Sequence, residues 1–321
     1  MNKTCKTFKR PKAIYLLVIF LVSVIFFGYN NYKNSHKRTI IYVPFSHPPF
    51  NTTPLYPYHI EERSKCIGRP PFLVLLIPSL PEDVVIRDTI RKTWANESLV
   101  PGISINRLFL LGMPSNNQTQ MAVEQESSVF HDIIQQDFLD TYNNLTLKTL
   151  MGIEWVSRIC PQVKYVMKVD SDMFFNPWFL VRHILEPGKP DKLGFFTGLL
   201  VKGSRPRRDK GSKWYISKLQ YPKSVYPPYC SGTGYVFSGE LSPIIYKEAM
   251  EINMFPYEDV FIGMCLDRIG VELSKPAGNW FEGEWIQYDR CQFAKLVTVH
   301  HYSSEDLLTL WPDFLKAVEQ C

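Results

Sequence analysis

An apolar run near the N-terminus divides this chain and limits what its first part can form. Residues 13–29 are seventeen consecutive positions without a charged side chain. That length lies at the short end of what crosses a bilayer as a helix. No small-residue cleavage site follows, so we predict an uncleaved signal-anchor helix rather than a cleaved signal peptide.

The charges that flank this run predict its orientation. Residues 1–12 carry five Lys or Arg side chains, and three more follow within residues 30–38. Because the more positive flank stays in the cytosol, residues 1–12 are predicted to be a cytosolic tail and the rest of the chain to be luminal. Residues 30–65 hold five prolines and no sustained hydrophobic period, which is typical of an extended stem. The globular domain is predicted to occupy residues 66–321.

Cysteines and glycosylation sequons agree with a luminal location. Six cysteines follow the apolar run, an even number that suits disulfide bonds in an oxidising compartment, although buried free thiols are the alternative for some of them. No Cys-x-x-Cys spacing occurs, which argues against zinc. Four luminal sequons predict N-glycosylation at Asn51, Asn96, Asn117 and Asn144. Asn144 opens a predicted helix, so an N-cap role is the alternative there.

Composition excludes several classes of protein. Hydrophobic residues make up 45% of the chain, enough to build a core, which excludes a disordered, collagen-like or coiled-coil chain. The net charge is +5, and much of that excess lies in residues 1–12. Because the remainder is close to neutral, a nucleic-acid partner has little support.

Strands and helices alternate along the predicted luminal domain. Strands are predicted at residues 72–77, 107–111 and 165–169, and helices at residues 82–95 and 144–159. Such alternation predicts an α/β fold in which helices cover both faces of a parallel sheet. In folds of this kind, ligands bind beyond the carboxyl ends of the strands.

Two carboxylates follow the third predicted strand. Asp170 and Asp172 are separated by one residue. If the chain stays extended there, both side chains point to the same side. Hard oxygen ligands at this edge of a sheet suit Mn²⁺ or Mg²⁺ that carries a diphosphate. The alternative is a capped turn that binds no metal.

Two other charged pairs could serve either structure or chemistry. Glu258 and Asp259 precede a predicted helix at residues 260–268, where the macrodipole favours acids in any case. The functional interpretation is a carboxylate held in a cleft as a general base. Arg87 and Arg91 stand four residues apart on one helical face, where they would bind either surface acids or a diphosphate.

Glycines and aromatic residues are concentrated in residues 226–238. Glycine lets the backbone approach a ligand closely, and aromatic rings suit the CH faces of a sugar. The alternative is a buried hairpin with tyrosines in the core.

Six blocks in one order give the sequence a specific resemblance. They are residues 72–94, 109–112, 132–149, 170–172, 226–238 and 258–260. Together they resemble the β-1,3-glycosyltransferase family of type II Golgi enzymes. The resemblance implies an α/β fold of the GT-A type, a nucleotide-sugar-binding sandwich, with a UDP-sugar donor, Mn²⁺ and inversion at the anomeric carbon. The middle residue of the acidic triplet is Ser171 here, where many relatives have Asp.

The resemblance also implies roles for individual residues. Asp172 would ligate the metal, Asp170 would lie near the ribose and the metal, and Asp259 would be the base. His300 would complete the metal site, although the adjacent His301 could take that place, and a surface histidine at a strand end is the alternative. The expected nucleotide contacts are Arg87, Arg91 and Lys148, and the expected donor or acceptor sugar contacts are Trp214, Tyr229, Gly232 and Glu258.

The activity that the resemblance implies is that of a single-pass type II enzyme of the Golgi membrane. It would transfer galactose from UDP-galactose to the 3-hydroxyl of a terminal GlcNAc or GalNAc on a protein- or lipid-linked glycan. Transfer of GlcNAc or GalNAc by the same fold is the first alternative. A luminal lectin-like pseudoenzyme is the second, but it would be expected to have lost Asp172 or Asp259, and neither is lost.

Overall fold

A computed structural model of the protein describes residues 53–68 and 70–321. The predicted cytosolic tail, the signal-anchor helix, the first part of the stem and the sequon at Asn51 lie outside the described residues. Within the described residues, no helix combines the length and the apolar character that crossing a membrane requires.

Strands and helices follow one another along the described part of the chain. The strands are β1 Tyr58–Ile60, β2 Leu73–Pro78, β3 Ile105–Met113, β4 Ile133–Leu139, β5 Tyr165–Val169, β6 Met173–Phe175, β7 Phe196–Val201, β8 Tyr229–Ser238, β9 Phe281–Glu282 and β10 Thr298–His300. The α-helices are α1 Val84–Lys92, α2 Asn117–Phe130, α3 Leu145–Ile159, α4 Pro177–Phe179, α5 Leu241–Met250, α6 Glu258–Ile269, α7 Arg290–Phe293 and α8 Ser304–Gln320. Short 3₁₀ turns span Arg63–Cys66 and Tyr142–Asn144, and a π-helical turn spans Leu180–Leu185.

Seven of these strands form one sheet in the order β1-β4-β3-β2-β5-β8-β7. The three predicted strands, β2, β3 and β5, are parallel as expected, and β4, which was not predicted, adds a fourth parallel strand beside β3. Strand β1 pairs antiparallel with β4, β8 with β5, and β7 with β8, so the sheet is mixed rather than wholly parallel. Antiparallel strands at the edges of a large parallel sheet are common. A second, three-stranded sheet has the order β6-β10-β9.

The predicted elements are present, and several of their ends differ. Strand β5 has the predicted bounds, β3 continues through Gly112 to Met113, and α1 ends at Lys92 because Thr93 leaves the helical backbone region. Strand β1 lies within the predicted stem, residues 30–65, yet it pairs with β4. The Tyr58 hydroxyl also donates to the Met151 carbonyl of α3 at 3.0 Å, so packed structure begins before residue 66.

Strand β2 packs against helices on both faces of the sheet. Leu73, Leu75 and Ile77 belong to a core cluster that includes Leu307 of α8. Leu76 faces α3, where a Cβ atom at Gly152 would lie only 3.0 Å from a methyl carbon of Leu76. Helices therefore cover both faces, which confirms the predicted α/β sandwich.

The cysteines of the described chain form two disulfides and leave two thiols free. Cys66 is bonded to Cys160, which follows α3, and Cys291 of α7 is bonded to Cys321. Cys230 and Cys265 are buried and free, and burial raises the pKa of each thiol to about 12. Both alternatives expected for the six cysteines that follow the apolar run therefore occur.

A buried cluster of charges joins α1 and α2 to the sheet. Its members are Arg87, Arg91, Arg107, Glu126 and Asp132. The two α1 arginines reach Glu126 at 2.6 and 2.7 Å. Asp132, which precedes β4, accepts from the second α1 arginine at 2.8 Å and from the β3 arginine at 2.7 Å. Three cations thus share two anions inside the fold.

The Asp132→Ala variant is expected to lower the free energy of unfolding by about 3–5 kcal/mol, because it leaves Arg107 without its anion and Arg91 with Glu126 alone. Urea titration of the purified globular domain measures this. The matched control is Asp88→Ala, which removes the exposed pair with Lys92. That control is expected to cost no more than about 0.5 kcal/mol. Equal losses in the two variants would contradict a stabilising role for the buried cluster.

Candidate active site

One cavity of about 600 Å³ opens where β5 ends, next to the start of α6. We call it the central cavity. It is lined by Tyr142, Leu145, Lys168, Asp170, Asp172, Lys213, Trp214, Ser231, Gly232, Thr233, Pro256, Tyr257, Glu258, Asp259, Gly283, Glu284, His300 and His301. Its place beyond the carboxyl end of a central strand is where α/β folds bind ligands.

The acidic motif turns as it leaves β5. The strand ends at Val169, and Ser171 and Asp172 form a turn before β6 begins. The extended path expected for Asp170 and Asp172 is therefore not the observed one, although both residues line the central cavity. Because of the turn, the two carboxylates meet different partners.

Asp172 lies in a group of three side chains that could hold a metal ion. One ligand atom each from Asp172, His300 and His301 lies within 4.8 Å of the others. His300 Nε2 is 3.2 Å from the Asp172 carboxylate, and its Nδ1 is 3.1 Å from the Gly283 carbonyl, which orients the ring. The hydrogen bond to Asp172 raises the pKa of His300. A carboxylate oxygen with imidazole nitrogens is a donor set that divalent transition metals accept, so these residues fit such an ion.

The backbone at His301 explains how two adjacent histidines face the same space. Neighbouring side chains of a strand normally point to opposite faces. His301 has a φ of 64°, in the left-handed region that non-glycine residues seldom adopt. This change in backbone direction stacks the two imidazoles with their centroids 3.7 Å apart. The group contains both histidines that the sequence left as alternatives, and it does not contain Asp170.

Asp170 is instead held by a buried lysine. Lys168 of β5 has no exposed surface, and its Nζ donates to Asp170 at 2.6 Å and also to the Gly232 carbonyl. The same Nζ lies 3.5 Å from the Glu258 carboxylate. Burial acts to lower the pKa of Lys168, but Asp170 and Glu258 outweigh it and raise that pKa, so the ammonium stays charged. Sequence reasoning assigned no role to Lys168; the available signal was a charged residue inside an apolar strand.

Glu258 and Asp259 begin α6 and have different surroundings. Glu258 is only 3% exposed and accepts from the Tyr235 hydroxyl, while burial raises its pKa to about 6. Asp259 is half-buried, and its carboxylate accepts from the backbone N–H groups of Gly232 at 3.2 Å and Val260 at 2.7 Å. Burial also raises the pKa of Asp259, although these N–H groups oppose the shift. A sugar contact by Glu258 would therefore compete with its contacts to Tyr235 and Lys168. The Asp259 carboxylate is the more accessible of the two.

Three residues expected to contact a nucleotide are not among the lining of the central cavity. Arg87 and Arg91 have their guanidinium groups in the buried cluster with Glu126 and Asp132. Lys148 is also buried, with Asp140 at 2.8 Å and the Ser79 carbonyl at 2.6 Å. The i, i+4 spacing identified a helical face correctly, but that face points inward.

The residues expected to contact sugars are divided between the cavity and its surroundings. Trp214 is exposed at the cavity, with Lys213 Nζ 4.4 Å from its ring centroid. Gly232 lines the cavity, where a Cβ would lie 3.2 Å from the Glu258 carboxylate. Tyr229 is half-buried and donates to the Ser204 hydroxyl at 3.3 Å, and it is not part of the lining. Sequence reasoning assigned no role to Tyr142, Lys213, Tyr257 and Glu284, although Tyr142 lies in the block at residues 132–149 and Tyr257 directly precedes the two acids.

The three sequons in the described chain differ in exposure. Asn96 and Asn117 are exposed. Asn144 is half-buried, and its side-chain amide donates to the Leu139 carbonyl at 2.8 Å. Asn144 occupies the N-cap position of α3, as the alternative interpretation expected. Its side chain makes no capping hydrogen bond there.

Comparison with known proteins identifies the family. The family model "Galactosyltransferase" matches residues 86–277, which include the acidic motif and Asp259 and end before the two histidines. The chain is 45% identical over 259 residues to human beta-1,3-galactosyltransferase 2, covering 80% of this chain and 61% of that relative, so it spans less than two thirds of the relative's length. It is 40% identical over 291 residues to mouse beta-1,3-galactosyltransferase 1, covering 89% of this chain and 88% of the relative. Since the family match spans most of the described fold, this chain belongs to the galactosyltransferase family.

Proposed function

We propose that the protein transfers galactose from UDP-galactose to the 3-hydroxyl of a terminal GlcNAc, or GalNAc, in β-1,3 linkage with inversion. One observation carries the proposal: the central cavity joins a half-buried carboxylate of raised pKa to a separate carboxylate–imidazole group that fits a divalent ion. The printed names of the relatives add the β-1,3 linkage and the galactosyl group.

Asp259 acts as the general base in this proposal. Its carboxylate takes the proton of the acceptor 3-hydroxyl as that oxygen bonds to the anomeric carbon of galactose and the bond from that carbon to the diphosphate breaks. One base on the acceptor side suffices for a single inverting displacement. The raised pKa of Asp259 makes it a stronger proton acceptor once ionised. The Gly232 and Val260 N–H groups hold the carboxylate in place.

Asp172, His300 and His301 are the residues that would hold the metal ion, which we propose to be Mn²⁺. When bound, the ion would neutralise the charge that develops on the leaving diphosphate. The Gly283 carbonyl fixes the His300 ring, and Lys168 orients Asp170 toward the nucleotide side of the same cavity. The internal ion pairs of Arg87, Arg91 and Lys148 favour a supporting role, in which they shape the fold near the cavity rather than touch the nucleotide.

We also propose a GT-A arrangement and a luminal, Golgi-membrane location behind the predicted signal-anchor. The two disulfides suit an oxidising compartment. The exposed sequons Asn96 and Asn117 agree with it.

A donor screen tests the activity: the purified globular domain is incubated with Mn²⁺, a GlcNAc-terminated acceptor and each UDP-sugar in turn. Transfer from UDP-galactose supports the proposal, and transfer only from another UDP-sugar overturns the choice of galactose. A lectin-like protein would bind the acceptor and transfer nothing.

The Asp259→Asn variant is expected to lower kcat by about 10²- to 10⁴-fold, because it removes the proton acceptor and keeps the shape of the side chain. The affinity for UDP should change little, since Asp259 is not one of the three residues proposed to hold the metal ion. Steady-state kinetics and calorimetric titration with UDP measure the two quantities.

The matched variant for this prediction is Glu258→Gln. Its carboxylate is already engaged by Tyr235 and Lys168, so the substitution should affect stability more than turnover. Near-normal turnover in Asp259→Asn, together with an inactive Glu258→Gln of normal stability, would assign the base to the other acid.

The Asp172→Ala variant is expected to lower transfer by at least about 10- to 100-fold. Losing a residue that only hydrogen-bonds to a metal ligand typically costs that much, and Asp172 is proposed to be a ligand itself. EDTA should abolish transfer by the unmodified protein, and Mn²⁺ should restore it there but not in the variant. The control is Asp191→Ala, at an exposed acid whose partner is Lys164. Full transfer in the presence of chelator would remove the metal from the mechanism.

The acid limb of the pH profile should follow Asp259. A raised pKa keeps the carboxyl protonated, and therefore inactive as a base, to a higher pH than the usual value of about 3.9 for Asp. At saturating substrates and Mn²⁺, kcat should fall as the pH drops toward that raised pKa. The residual rate of Asp259→Asn should lack this limb; an unchanged limb in the variant would assign it to another group.

A further inference from the structure

We infer that the acceptor site continues out of the central cavity into a surface groove that binds the inner sugars of an oligosaccharide acceptor. This inference rests on the proposed glycosyl transfer and names its acceptor as a chain of several neutral sugars. The groove consists of two further cavities. The side cavity, of about 450 Å³, lies between the start of α3 and residues 254–257, and the outer cavity, of about 490 Å³, lies between residues 219–223 and 252–256.

Shared side chains place the three cavities next to one another. Lys213 and Tyr257 line both the central and the side cavity. Gln220 and Met254 line both the side and the outer cavity. Pro256 lines all three. A ligand that extends from the central cavity past Pro256 would therefore lie against the groove.

The groove opens on the side of the base. Pro256 and Tyr257 immediately precede the acids that begin α6, including Asp259. The metal group of Asp172, His300 and His301 lines the central cavity and neither part of the groove. Because the diphosphate of the donor belongs at the metal group and the acceptor hydroxyl belongs at the base, the groove lies on the acceptor side.

The lining chemistry suits uncharged sugars. Tyr215 and Gln220 line the side cavity, where the Tyr257 hydroxyl donates to the Tyr215 carbonyl at 2.7 Å. Asn253 lines the outer cavity. Side-chain amides both donate and accept hydrogen bonds, as sugar hydroxyls do, and aromatic rings offer flat apolar faces. The charged residues of the groove are Lys213 in the side cavity and Lys223, Asp267 and Arg268 in the outer cavity. Arg268 is paired with Glu248, and Lys223 and Asp267 carry opposite charges, so the outer cavity has no large excess of either charge.

Two apolar side chains project where the inner sugars would lie. Leu219 is 94% exposed and Met254 is 46% exposed. Each adjoining cavity is within the range of about 300–1,000 Å³ that ligand sites occupy. The CH faces of a sugar chain would cover these side chains and remove apolar surface from water.

The test compares two acceptors that carry the same small, polar aglycon and the same terminal sugar. One is the single sugar, and the other is a neutral trisaccharide. With UDP-galactose and Mn²⁺ saturating, the unmodified protein should use the trisaccharide with a kcat/KM about tenfold or more higher, which corresponds to about 1.4 kcal/mol of added binding. The double variant Leu219→Ser with Met254→Ser should lose most of that advantage through a higher KM for the trisaccharide.

The matched control is the double variant Leu193→Ser with Met121→Ser. It replaces the same residue types at positions 60% and 69% exposed that line none of these cavities. The control should keep the full trisaccharide advantage. The single variant Leu219→Ser provides a second test, because a side chain so exposed contributes little to folding.

Each result separates this inference from the proposed function. If the unmodified protein transfers galactose to neither acceptor, the proposed function fails. If it uses both acceptors equally, or if the control variant loses the advantage as well, transfer stands and the groove is overturned. If a single sugar with a long apolar aglycon is used as well as the trisaccharide, the inference is also overturned, since the groove would then bind the carrier rather than inner sugars.

Discussion

Lys168 carries a positive charge into the interior of the sheet, where its side chain has no contact with solvent. Burying an ammonium costs several kcal/mol unless partners offset the lost hydration. Here the partners are Asp170, Glu258 and the Gly232 carbonyl, which come from the end of β5, the start of α6 and β8. Because one charge satisfies all three, the position of each of these elements depends on the others. Asp170 and the acids at the start of α6 are thereby fixed relative to one another at the central cavity.

The two acids at the start of α6 show how the environment separates neighbouring residues of the same kind. Glu258 is enclosed and engaged by Tyr235 and Lys168, so it serves the interior. Asp259 turns to the central cavity and receives only backbone N–H groups, which hold its carboxylate without neutralising it. A helix N-terminus favours both acids electrostatically. The structural and functional explanations of this pair are therefore compatible. Glu258 fits the structural one, and Asp259 fits the functional one.

Sequence was most informative where a pattern is local. Strand β2 is a continuous apolar run, β5 is apolar apart from Lys168, and α3 has a clear helical repeat, so these elements could be predicted. The burial of Arg91 could not, because its partner Asp132 lies 41 residues away and spacing within a helix does not say which face is inward. For the same reason, the antiparallel pairing of β8 with β5 and the entry of β1 into the sheet had no local signal. The acids that line the candidate site could be predicted from the sequence, whereas most of the loop residues that line it could not.

The antiparallel pairing of β8 with β5 also explains why the site needs glycines. In this register Val169 is opposite Gly234, so the residues that precede Gly234 run alongside the acidic motif beyond the end of β5. Gly232 then approaches so closely that a Cβ atom would lie 3.5 Å from Lys168 Nζ and 3.2 Å from the Glu258 carboxylate. Its carbonyl accepts from Lys168, and its N–H donates to Asp259. A side chain at this position would require the Glu258 carboxylate to shift by a few tenths of an ångström, which would disturb its contacts with Lys168 and Tyr235. Gly232 therefore serves the charge network and also forms part of the wall of the cavity.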